Sequence, residues 1–513
     1  MIERPRTVPG GANVSRARGR TAICACATRS GRRVLAKMTR SFSTLAVGSY
    51  LCVLTGCFEQ APSVGEGGSS EGSGSASEES ATSSSMSNGS SGSPTSSPDG
   101  SGSEAPSGVC GDGAVEGDEI CDDGNEQDGD GCESDCRPSS GYPLWTVVED
   151  EANTLAIYTV AVTPEGDIIA GGVLVDADDL ENPWLARYAP DGTRLWTEAT
   201  PAEGGEAHYR GLTVLADGRV LGVGAVKTQA EYDDAWLRVV DVDGNIAWQH
   251  EVQTNTADTY LLSIAPRQDG GFVGVGSATD ASGTRPFVAP IDPNGDSWQQ
   301  GINSEDVGTY ANDYGQMFSV VSYGTGLLVV GSARVDPMQP SDAAAWLLTA
   351  DGDALGPPDV FGGEGDQDFI DVAVDGDDVH AIGRSGMGTV SALRIAKLDV
   401  GDSVALAWEQ PWSDEQFNVG NALAASGGVR YVAASTTPDP DNSDAYDSRV
   451  LRWDGEESDP RWSMPYEDPS PGLDYAADVA IAPDGTVVVV GPMTPEAGGD
   501  VGSINAWVRK LAP

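Results

Sequence analysis

Residues 160–172 read VAVTPEGDIIAGG, and residues 184–197 read WLARYAPDGTRLWT. Each stretch carries apolar and β-branched residues on both sides of a short turn that contains Gly166 or Gly192. Two such runs around a glycine turn are the strongest short-range signal of a β-hairpin. Two hairpins in succession therefore predict one four-stranded antiparallel sheet.

This pair of hairpins recurs every 50 to 58 residues along the chain. Copies of the first hairpin are LTVLADGRVLGVG (212–224), SIAPRQDGGFVGVG (263–276), FSVVSYGTGLLVVG (318–331), IDVAVDGDDVHAIG (370–383), ALAASGGVRYVAA (422–434) and VAIAPDGTVVVVG (479–491). Copies of the second occupy residues 236–249, 287–300, 346–356, 393–410 and 450–464. A four-stranded unit repeated seven times predicts an all-β fold, a seven-bladed β-propeller over residues 141–513.

The seventh copy has only three strands, since the chain stops after AWVRKLAP (506–513). In other copies the fourth strand carries a tryptophan, and PLWTVVED (143–150) has one at Trp145 and resembles TRLWTEAT (193–200). We therefore predict that residues 143–150 form the outer strand of the seventh blade, which closes the ring and removes its free sheet ends. The fourth-strand tryptophans are predicted to pack between blades; they are Trp145, Trp196, Trp248, Trp298, Trp408 and Trp462.

The segment ARYAPDG (186–192) makes the repeats resemble a type of propeller repeat found in bacterial surface proteins. More distantly, the tryptophan pattern is similar to the tryptophan-docked blades of quinoprotein-like propellers. Neither resemblance implies a particular activity. Quinone chemistry is not carried over, because the chain shows no matching cofactor residues.

Charge is distributed unevenly along the 513 residues, whose formal net charge is −50. Residues 1–57 hold ten of the 29 Lys and Arg residues and only one of the 79 Asp and Glu residues. The remainder is strongly acidic, so it repels nucleic acid and anionic lipid surfaces. This composition favours cations, polar neutral ligands or basic partners, and predicts no nucleic-acid partner.

Residues 1–57 are predicted to be an export signal, with Met38 as an alternative start. MTRSFSTLAVGSYLCVLTGC (38–57) has a basic residue, a short apolar run and small residues before Cys57. Its end, LTGC, resembles the lipobox of bacterial lipoproteins. That resemblance implies cleavage before Cys57 and a lipid on its thiol, hence a membrane partner; an ordinary signal peptide is the alternative. Phe58, in place of the Asp of inner-membrane retention, favours the outer membrane or cell surface.

Residues 58–108 are predicted to be a disordered tether, because Ser, Gly and scattered acidic residues bury too little apolar surface to fold. A coil of this length would span roughly 40 Å. Such a tether would hold the folded part away from a membrane surface.

Residues 109–138 form a predicted cysteine-rich module. CGDGAVEGDEICDDGNEQDGDGCESDC (110–136) resembles the cysteine-rich repeat of myxobacterial surface proteins through its CGDG, CDDGN and GDGC blocks. The resemblance implies an extracytoplasmic disulfide module and identifies no activity. Four cysteines allow three pairings, among which the sequence does not choose; they are Cys110, Cys121, Cys132 and Cys136.

Carboxylates stand between those cysteines, at Asp112, Asp122, Asp123, Asp128 and Asp130. Closely spaced carboxylates with glycine turns can surround Ca²⁺. An EF-hand register fails, because Gly131 at loop position 6 places Arg137 where a bidentate Glu is needed. The alternative is that these residues form acidic, solvated turns that direct disulfide pairing.

A possible ligand ring lies on the loops that lead into the first strands, 17 or 18 residues before the glycine that ends the first hairpin, or before Ala433 in the sixth copy. The acidic members are Glu206, Asp258, Asp313, Asp366, Glu415 and Asp474. The aromatic members that follow closely are Tyr209, Tyr260, Tyr314, Phe369, Phe417 and Tyr475, while the first blade has Tyr158 and Thr154. Carboxylates and rings at one face could bind cations or sugars. Alternatively, each carboxylate accepts backbone hydrogen bonds in its own loop and each ring packs between blades.

Signals of an enzyme are weak. His208, His250 and His380 stand in different strand contexts, and the repeat region has no G-x-S-x-G motif and no P-loop. The sequence favours a non-catalytic binding or scaffolding propeller at the envelope, with a protein or glycan ligand. A carbohydrate-active hydrolase or lyase that uses carboxylates at the channel mouth is one alternative, and a purely structural surface protein is another.

Overall fold

A computed structural model of the chain describes residues 109–117, 119–128, 131–149, 154–203, 205–227, 233–252, 257–268, 270–281, 283–291, 314–334, 340–363, 365–387, 390–413, 417–437, 446–455, 459–466, 474–494 and 504–513. No helix among them is long and apolar enough to cross a membrane. The predicted export signal, its Cys57 and the predicted tether lie outside the described residues.

The described strands form seven blades, and β1 (Pro143–Glu149) precedes the first of them in sequence. Blade 1 contains β2 (Thr154–Val162), β3 (Ile168–Val175), β4 (Glu181–Tyr188) and β5 (Arg194–Glu198). Blade 2 contains β6 (Glu206–Val214), β7 (Val220–Lys227), β8 (Asp233–Val240) and β9 (Ile246–Val252). Blade 3 contains β10 (Asp258–Pro266), β11 (Phe272–Asp280) and β12 (Gly283–Ile291), and Trp298 lies outside the described residues.

The remaining blades follow the same order of strands. Blade 4 contains β13 (Tyr314–Tyr323), β14 (Gly326–Arg334), β15 (Asp342–Leu348) and β16 (Asp359–Phe361). Blade 5 contains β17 (Asp366–Asp375), β18 (Asp378–Met387), β19 (Val390–Val400) and β20 (Val404–Trp412). Blade 6 contains β21 (Phe417–Ser426), β22 (Val429–Thr437), β23 (Asp447–Asp454) and β24 (Trp462–Tyr466). Blade 7 contains β25 (Asp478–Ile481), β26 (Val487–Met493) and β27 (Asn505–Leu511), and its fourth strand is β1.

The first strands of the blades are the innermost ones. Each first strand contacts the first strand of the next blade, from β2 round to β25, and β25 contacts β2 again. A closed circle of seven first strands surrounds a central channel. This arrangement confirms the predicted all-β, seven-bladed propeller.

Strand β1 closes the ring, as the sequence predicts. It pairs antiparallel with β27, with Val147 opposite Val508 and Glu149 opposite Ala506. Buried Glu149 then reaches the next blade, where it accepts hydrogen bonds from Tyr188 Oη at 2.8 Å and Arg194 Nη1 at 2.5 Å. Blade 7 is therefore built from both ends of the propeller chain and is joined to blade 1 by charge-assisted hydrogen bonds.

Fourth-strand tryptophans dock on the hairpin turns of the next blade. Trp145 Nε1 donates to Pro190 O at 3.1 Å, and its ring lies 3.0 Å from where a Cβ on Gly192 would stand. Trp196 repeats this contact one blade on, against Gly244. Both glycines have positive φ and face an indole ring, so only glycine fits. The predicted packing role of these two tryptophans is thus confirmed.

A β-bulge interrupts the first strands of blades 1 to 6 at one common position. The register shifts between residues 157 and 159, 209 and 211, 261 and 263, 317 and 319, 369 and 371, and 420 and 422. In blade 1 the bulge brings a backbone oxygen over the second strand, and a Cβ on Gly172 would lie 1.9 Å from Ala156 O. In blade 1 this oxygen leaves no room for a side chain at residue 172, whereas blade 6 has the same bulge and carries Ala434 at the equivalent position.

Two nested disulfides hold the cysteine-rich module, Cys110–Cys136 and Cys121–Cys132. At its end, Ser140 Oγ accepts hydrogen bonds from Trp462 Nε1 at 2.9 Å and from an Arg452 nitrogen at 2.8 Å. Gly141 packs on the Trp462 ring and donates its N–H to Ala512 O at 2.9 Å. The module is therefore fixed to the propeller where blade 6 meets blade 7.

Candidate functional site

The bulge residue of each first strand lines the channel. The residue just before it is buried in every blade, whereas the bulge residue itself is half-buried. Together with the matching residue of blade 7, these residues form a set that we call the bulge ring: Tyr158, Arg210, Leu262, Phe318, Ile370, Asn421 and Ala477. Tyr158 and Arg210 are polar members on adjacent blades, Asn421 is a polar member on blade 6, and apolar members occupy the sector of blades 3 to 5.

The face at which the first strands begin is here called the mouth face. It also carries the first residues of the third strands, such as Glu181 and Asp233, because adjacent strands alternate in direction. The tight hairpin turns, including Gly166 and Gly192, lie on the opposite face, called the turn face. Ser140 and Gly141 contact the propeller at the turn face, beside the end of β27.

Two acidic residues of the predicted ring join neighbouring blades. Asp258 Oδ1 accepts a hydrogen bond from Asp233 N at 2.9 Å, and Asp366 Oδ1 accepts one from Ser341 N at 2.9 Å. Burial, together with the charge of Asp233, raises the pKa of Asp258 despite that backbone hydrogen bond. In both cases a carboxylate at the start of a first strand accepts a backbone hydrogen bond from the start of the third strand, or the residue just before it, in the preceding blade.

The other acidic positions are less alike. Buried Asp474 accepts a hydrogen bond from Thr494 N at 2.8 Å within blade 7. Glu206 Oε2 lies 3.7 Å from Lys227 Nζ. Asp313 and Glu415 lie outside the described residues.

The aromatic positions divide into packing residues and residues near the channel. Tyr209 is 0% exposed, with its ring 5.2 Å from that of Trp236, and Phe369 is buried beneath Arg394. Tyr260 is also buried, and its hydroxyl donates to Asp233 Oδ2 at 2.8 Å. Tyr475 is half-buried. The side chains of Tyr314 and Phe417 lie outside the description, so the predicted aromatic ring is not continuous over the residues described.

Arg210 is the centre of a polar group at the mouth. Its guanidinium carbon lies 4.3 Å from the centroid of the Tyr158 ring. Burial raises the pKa of Tyr475 to about 12, and the positive charge of Arg210 opposes that rise. The same charge acts on Tyr158 and Tyr260, whose pKa values burial also raises. Blades 7, 1, 2 and 3 thus place three neutral phenols around one cation.

His208 and Glu181 complete this group. His208 Nδ1 lies 3.6 Å from Glu181 Oε2, between blades 2 and 1. Burial lowers the pKa of His208, and the carboxylate of Glu181 only partly offsets it, so the imidazole is neutral at pH 7. We call these six residues the arginine cluster: Tyr158, Glu181, His208, Arg210, Tyr260 and Tyr475.

The arginine cluster places half-buried aromatic rings, phenol hydroxyls, a guanidinium and an imidazole at one sector of the channel. Such a combination can stack on a ring and hydrogen-bond several hydroxyl groups. The sequence pattern identifies Tyr158, Tyr260 and Tyr475 but not Arg210 or Glu181. Arg210 is the bulge residue of β6, and the bulge turns its side chain toward the channel.

A second set of carboxyls lies deeper in the channel. Asp371 accepts hydrogen bonds from Ser319 Oγ of blade 4 at 2.6 Å and from Leu423 N of blade 6 at 2.7 Å. Asp478 accepts one from Val160 N of blade 1 at 2.7 Å. Burial raises the pKa of Asp371 to about 6. Burial and the charge of Asp371 raise the pKa of Asp478 to about 7. These carboxyls join blades, and each holds a proton more tightly in the folded state than in the unfolded chain.

This difference predicts an unusual pH dependence of stability. A carboxyl whose folded pKa is raised contributes stability at low pH and loses it as pH rises through the folded value. We expect the wild type to lose stability between pH 5 and pH 8, with a share from Asp478 on the order of 2 kcal/mol. Chemical denaturation should show that the free energy of unfolding of Asp478→Asn changes less with pH over this range than that of wild type. This expectation holds whatever the absolute stability of the variant. A slope equal to that of wild type would contradict the assignment.

Asp241→Asn is the matched control for that experiment. Asp241 sits in an exposed hairpin turn, where hydrogen bonds from Asn245 lower its pKa. Its titration therefore falls below the range from pH 5 to pH 8. The slope of this variant should equal that of wild type.

The acidic residues of the cysteine-rich module accept backbone hydrogen bonds. Asp122 accepts four, from Gly111, Asp112, Gly113 and Gly124 at 2.7 to 3.1 Å. Partial burial opposes them, yet these donors hold the pKa of Asp122 below its usual range. Asp112, Asp123 and Asp128 likewise accept the N–H groups of Ala114, Cys132 and Ser134.

Calcium binding by the module stays a prediction. Asp130, one of its five proposed ligands, lies outside the described residues. Within the described ranges, no group of three or more His, Cys, Asp and Glu side chains is arranged to hold a metal ion.

Comparisons with known proteins bear on the fold. No family model matches the chain, and no curated protein matches it either. Among solved structures, the polysaccharide lyase Uly1 is similar at 11% identity, covering 72% of this chain and 99% of that one, with a TM-score of 0.46. The WD40 β-propeller domain of Doa1 is similar at 11% identity, covering 72% and 96%, with a TM-score of 0.40. Sqt1 from Chaetomium thermophilum is similar at 14% identity, covering 73% and 90%, with a TM-score of 0.39. These likenesses concern the propeller fold alone.

Proposed function

We propose that this protein is an exported, lipid-anchored envelope protein whose propeller is a non-catalytic binding module for a saccharide. The observation that carries the binding role is the arginine cluster, which gathers polar and aromatic side chains from four blades at one sector of the channel. The remaining bulge residues of blades 3 to 5 are apolar. The mouth is therefore polarised, as a site that orients one ligand would be.

The proposed ligand class follows from the chemistry of this sector. Half-buried Tyr158 carries the guanidinium of Arg210 on one face of its ring, which leaves the other face as the one on which a sugar ring would stack, and Arg210 brings several N–H donors. Tyr475 adds a phenol group at the edge of the channel. Sugars combine apolar ring faces with rows of hydroxyl groups, so they match such a surface.

Export and anchoring rest on sequence features alone. LTGC at residues 54–57, the Ser/Gly-rich segment 58–108 and the disulfide module support an extracytoplasmic protein carried by a lipid on Cys57. Cell fractionation would test this part: wild type should be found in the membrane fraction, and Cys57→Ser should be lost from it.

The binding role predicts a strong effect of two substitutions. On a glycan array followed by calorimetry, Arg210→Ala and Tyr158→Ala should each weaken binding of the selected saccharide tenfold or more, since each removes a central contact. Arg219→Ala is the matched control, because Arg219 lies on the same blade in a hairpin turn of the opposite face. Equal affinities for all four proteins, or no saccharide bound by wild type, would refute the proposed site.

A carbohydrate-active enzyme is the second candidate. The pair of channel carboxyls, Asp371 and Asp478, favours it, because raised pKa values are typical of general acids. Their engagement by Ser319, Leu423 and Val160 supports the binding module instead. Release of new sugar ends from a bound polysaccharide, abolished in Asp478→Asn, would decide for the enzyme.

A further inference from the structure

One ring nitrogen of His208 has no partner in the part of the chain that the structure describes. The side chain is 10% exposed, and Nδ1 faces the Glu181 carboxylate. A carboxylate beside Nδ1 keeps the proton on that nitrogen, so Nε2 carries a lone pair. Nε2 is buried and has no hydrogen-bond partner among the described residues. A buried acceptor left in this state costs free energy unless something donates to it.

The equivalent residue of the next blade is satisfied. The backbone oxygens of His208 and Tyr260 each lie 1.9 Å from where a Cβ on the blade glycine would stand, so the two residues occupy the same position. Tyr260 uses its hydroxyl to reach Asp233 at 2.8 Å. Blade 4 shares the feature, since Gln316 Oε1 at the same position is also buried without a hydrogen-bond partner among the described residues. His208 differs from Gln316 in lying within the arginine cluster.

His208 stands closer to the mouth than Arg210 does. Both belong to β6, which begins at Glu206 on the mouth face, and two residues of a strand span roughly 7 Å. A ligand that enters from the mouth toward Arg210 therefore passes beside the position of His208. Because Nε2 is buried, such a ligand reaches it by displacing the side chains that cover this nitrogen.

The charges around His208 disfavour an anion. Glu181 faces it from β4, Arg210 lies on its own strand, and Asp233 faces it from β8. Two carboxylates and one guanidinium leave this sector net negative, within a chain that is itself strongly acidic. A sugar carboxylate or sulfate also lacks a proton to give to Nε2 at neutral pH.

We infer that the ligand of the arginine cluster is a neutral, hydroxyl-rich saccharide, and that one of its hydroxyl groups donates a hydrogen bond to His208 Nε2. This inference rests on the proposed function and narrows it to one class of sugar. Protonation of His208 turns Nε2 from an acceptor into a donor, so binding weakens when the pH falls below the usual titration range of histidine.

Two substitutions at the same position test the hydrogen bond. His208→Gln keeps an acceptor, and blade 4 carries Gln316 at this position, which shows that glutamine fits there. His208→Val removes the acceptor, and blade 6 carries Val419 there. Calorimetry at pH 7.5 with neutral oligosaccharides selected on the array should show His208→Val weaker by about tenfold, and His208→Gln close to wild type. Gln316→Val, the matched control outside the cluster, should bind as wild type does.

The pH profile and the choice of sugar complete the test. Wild-type affinity should fall at acidic pH, whereas His208→Gln should keep a flat profile, because its amide does not titrate. Preference for uronate, sulfated or amino sugars would overturn the inference. A folded His208→Val protein that binds with wild-type affinity would also overturn the inference. If that binding still depended on Arg210 and Tyr158, the proposed function would stand. Binding of no saccharide at all would instead refute the proposed function.

Discussion

Deleting residues 143–149 is expected to abolish cooperative folding of the whole propeller. The deletion removes the fourth strand of blade 7 and leaves the edge of β27 unpaired. It also removes the indole of Trp145 from Gly192 and the carboxylate of Glu149 from Tyr188 and Arg194. All three losses fall on the seam between blades 7 and 1. Their sum is comparable with the 5–15 kcal/mol that typically stabilises a folded domain.

Calorimetry and circular dichroism would measure this effect. The deleted protein should show no single cooperative transition, while wild type should show one. Deleting residues 58–136 is the matched control, because it removes more of the chain yet keeps Ser140, Gly141 and β1. A propeller that still melts cooperatively without residues 143–149 would show that closure by this strand is dispensable.

Gly172→Ala is expected to destabilise the protein by about 3 kcal/mol or more. The added Cβ would stand 1.9 Å from Ala156 O, an oxygen that the β-bulge of β2 holds in place. Backbone atoms of two paired strands must separate to relieve this contact. The strain therefore falls on the innermost pair of strands in blade 1, close to the channel.

Denaturant unfolding with Gly356→Ala as control isolates this cause. Gly356 has no heavy atom within 4 Å of the position of an added Cβ, so its substitution should change stability by less than about 1 kcal/mol. Equal midpoints for the two variants would mean that the bulge shifts to accommodate the added Cβ at little cost in stability, which would contradict the prediction. A lower midpoint for Gly172→Ala alone would confirm that the bulge of blade 1 leaves no room for a side chain at residue 172.

The repeated hairpins made most of the fold predictable. Their period and turn residues depend on local chain geometry, which a single sequence displays directly. The closing strand was predictable because Trp145 carries the same docking role as Trp196, and both meet a turn glycine in the next blade. The pairing of β1 with β27, some 360 residues apart in sequence, could thus be predicted from a local motif.

The candidate site was less predictable, because the bulge changes which residue faces the channel. Counting back from the blade glycine selects Tyr209, which packs against Trp236, whereas the residue after it, Arg210, reaches the channel. A bulge inserts a residue without any change in composition, so periodicity alone does not reveal it.

The predicted carboxylates illustrate the same limit. Asp258 and Asp366 do recur at the mouth, yet each accepts a backbone N–H from the preceding blade. At these two seams the recurrence reflects a hydrogen bond that joins neighbouring blades. The residues that distinguish one sector are those that do not recur, such as His208 and Arg210, and a repeat comparison passes over them.

The contacts of Ser140 and Gly141 decide how the molecule carries mechanical load. Any pull on the chain N-terminal to residue 139 meets the hydrogen bonds of Ser140 to Arg452 and Trp462 before it meets β1. The force is therefore passed to blade 6 and to the end of β27, and the closing strand is shielded from it. Rupture would begin at this junction, so that the cysteine-rich module would peel away while the ring of blades stayed shut.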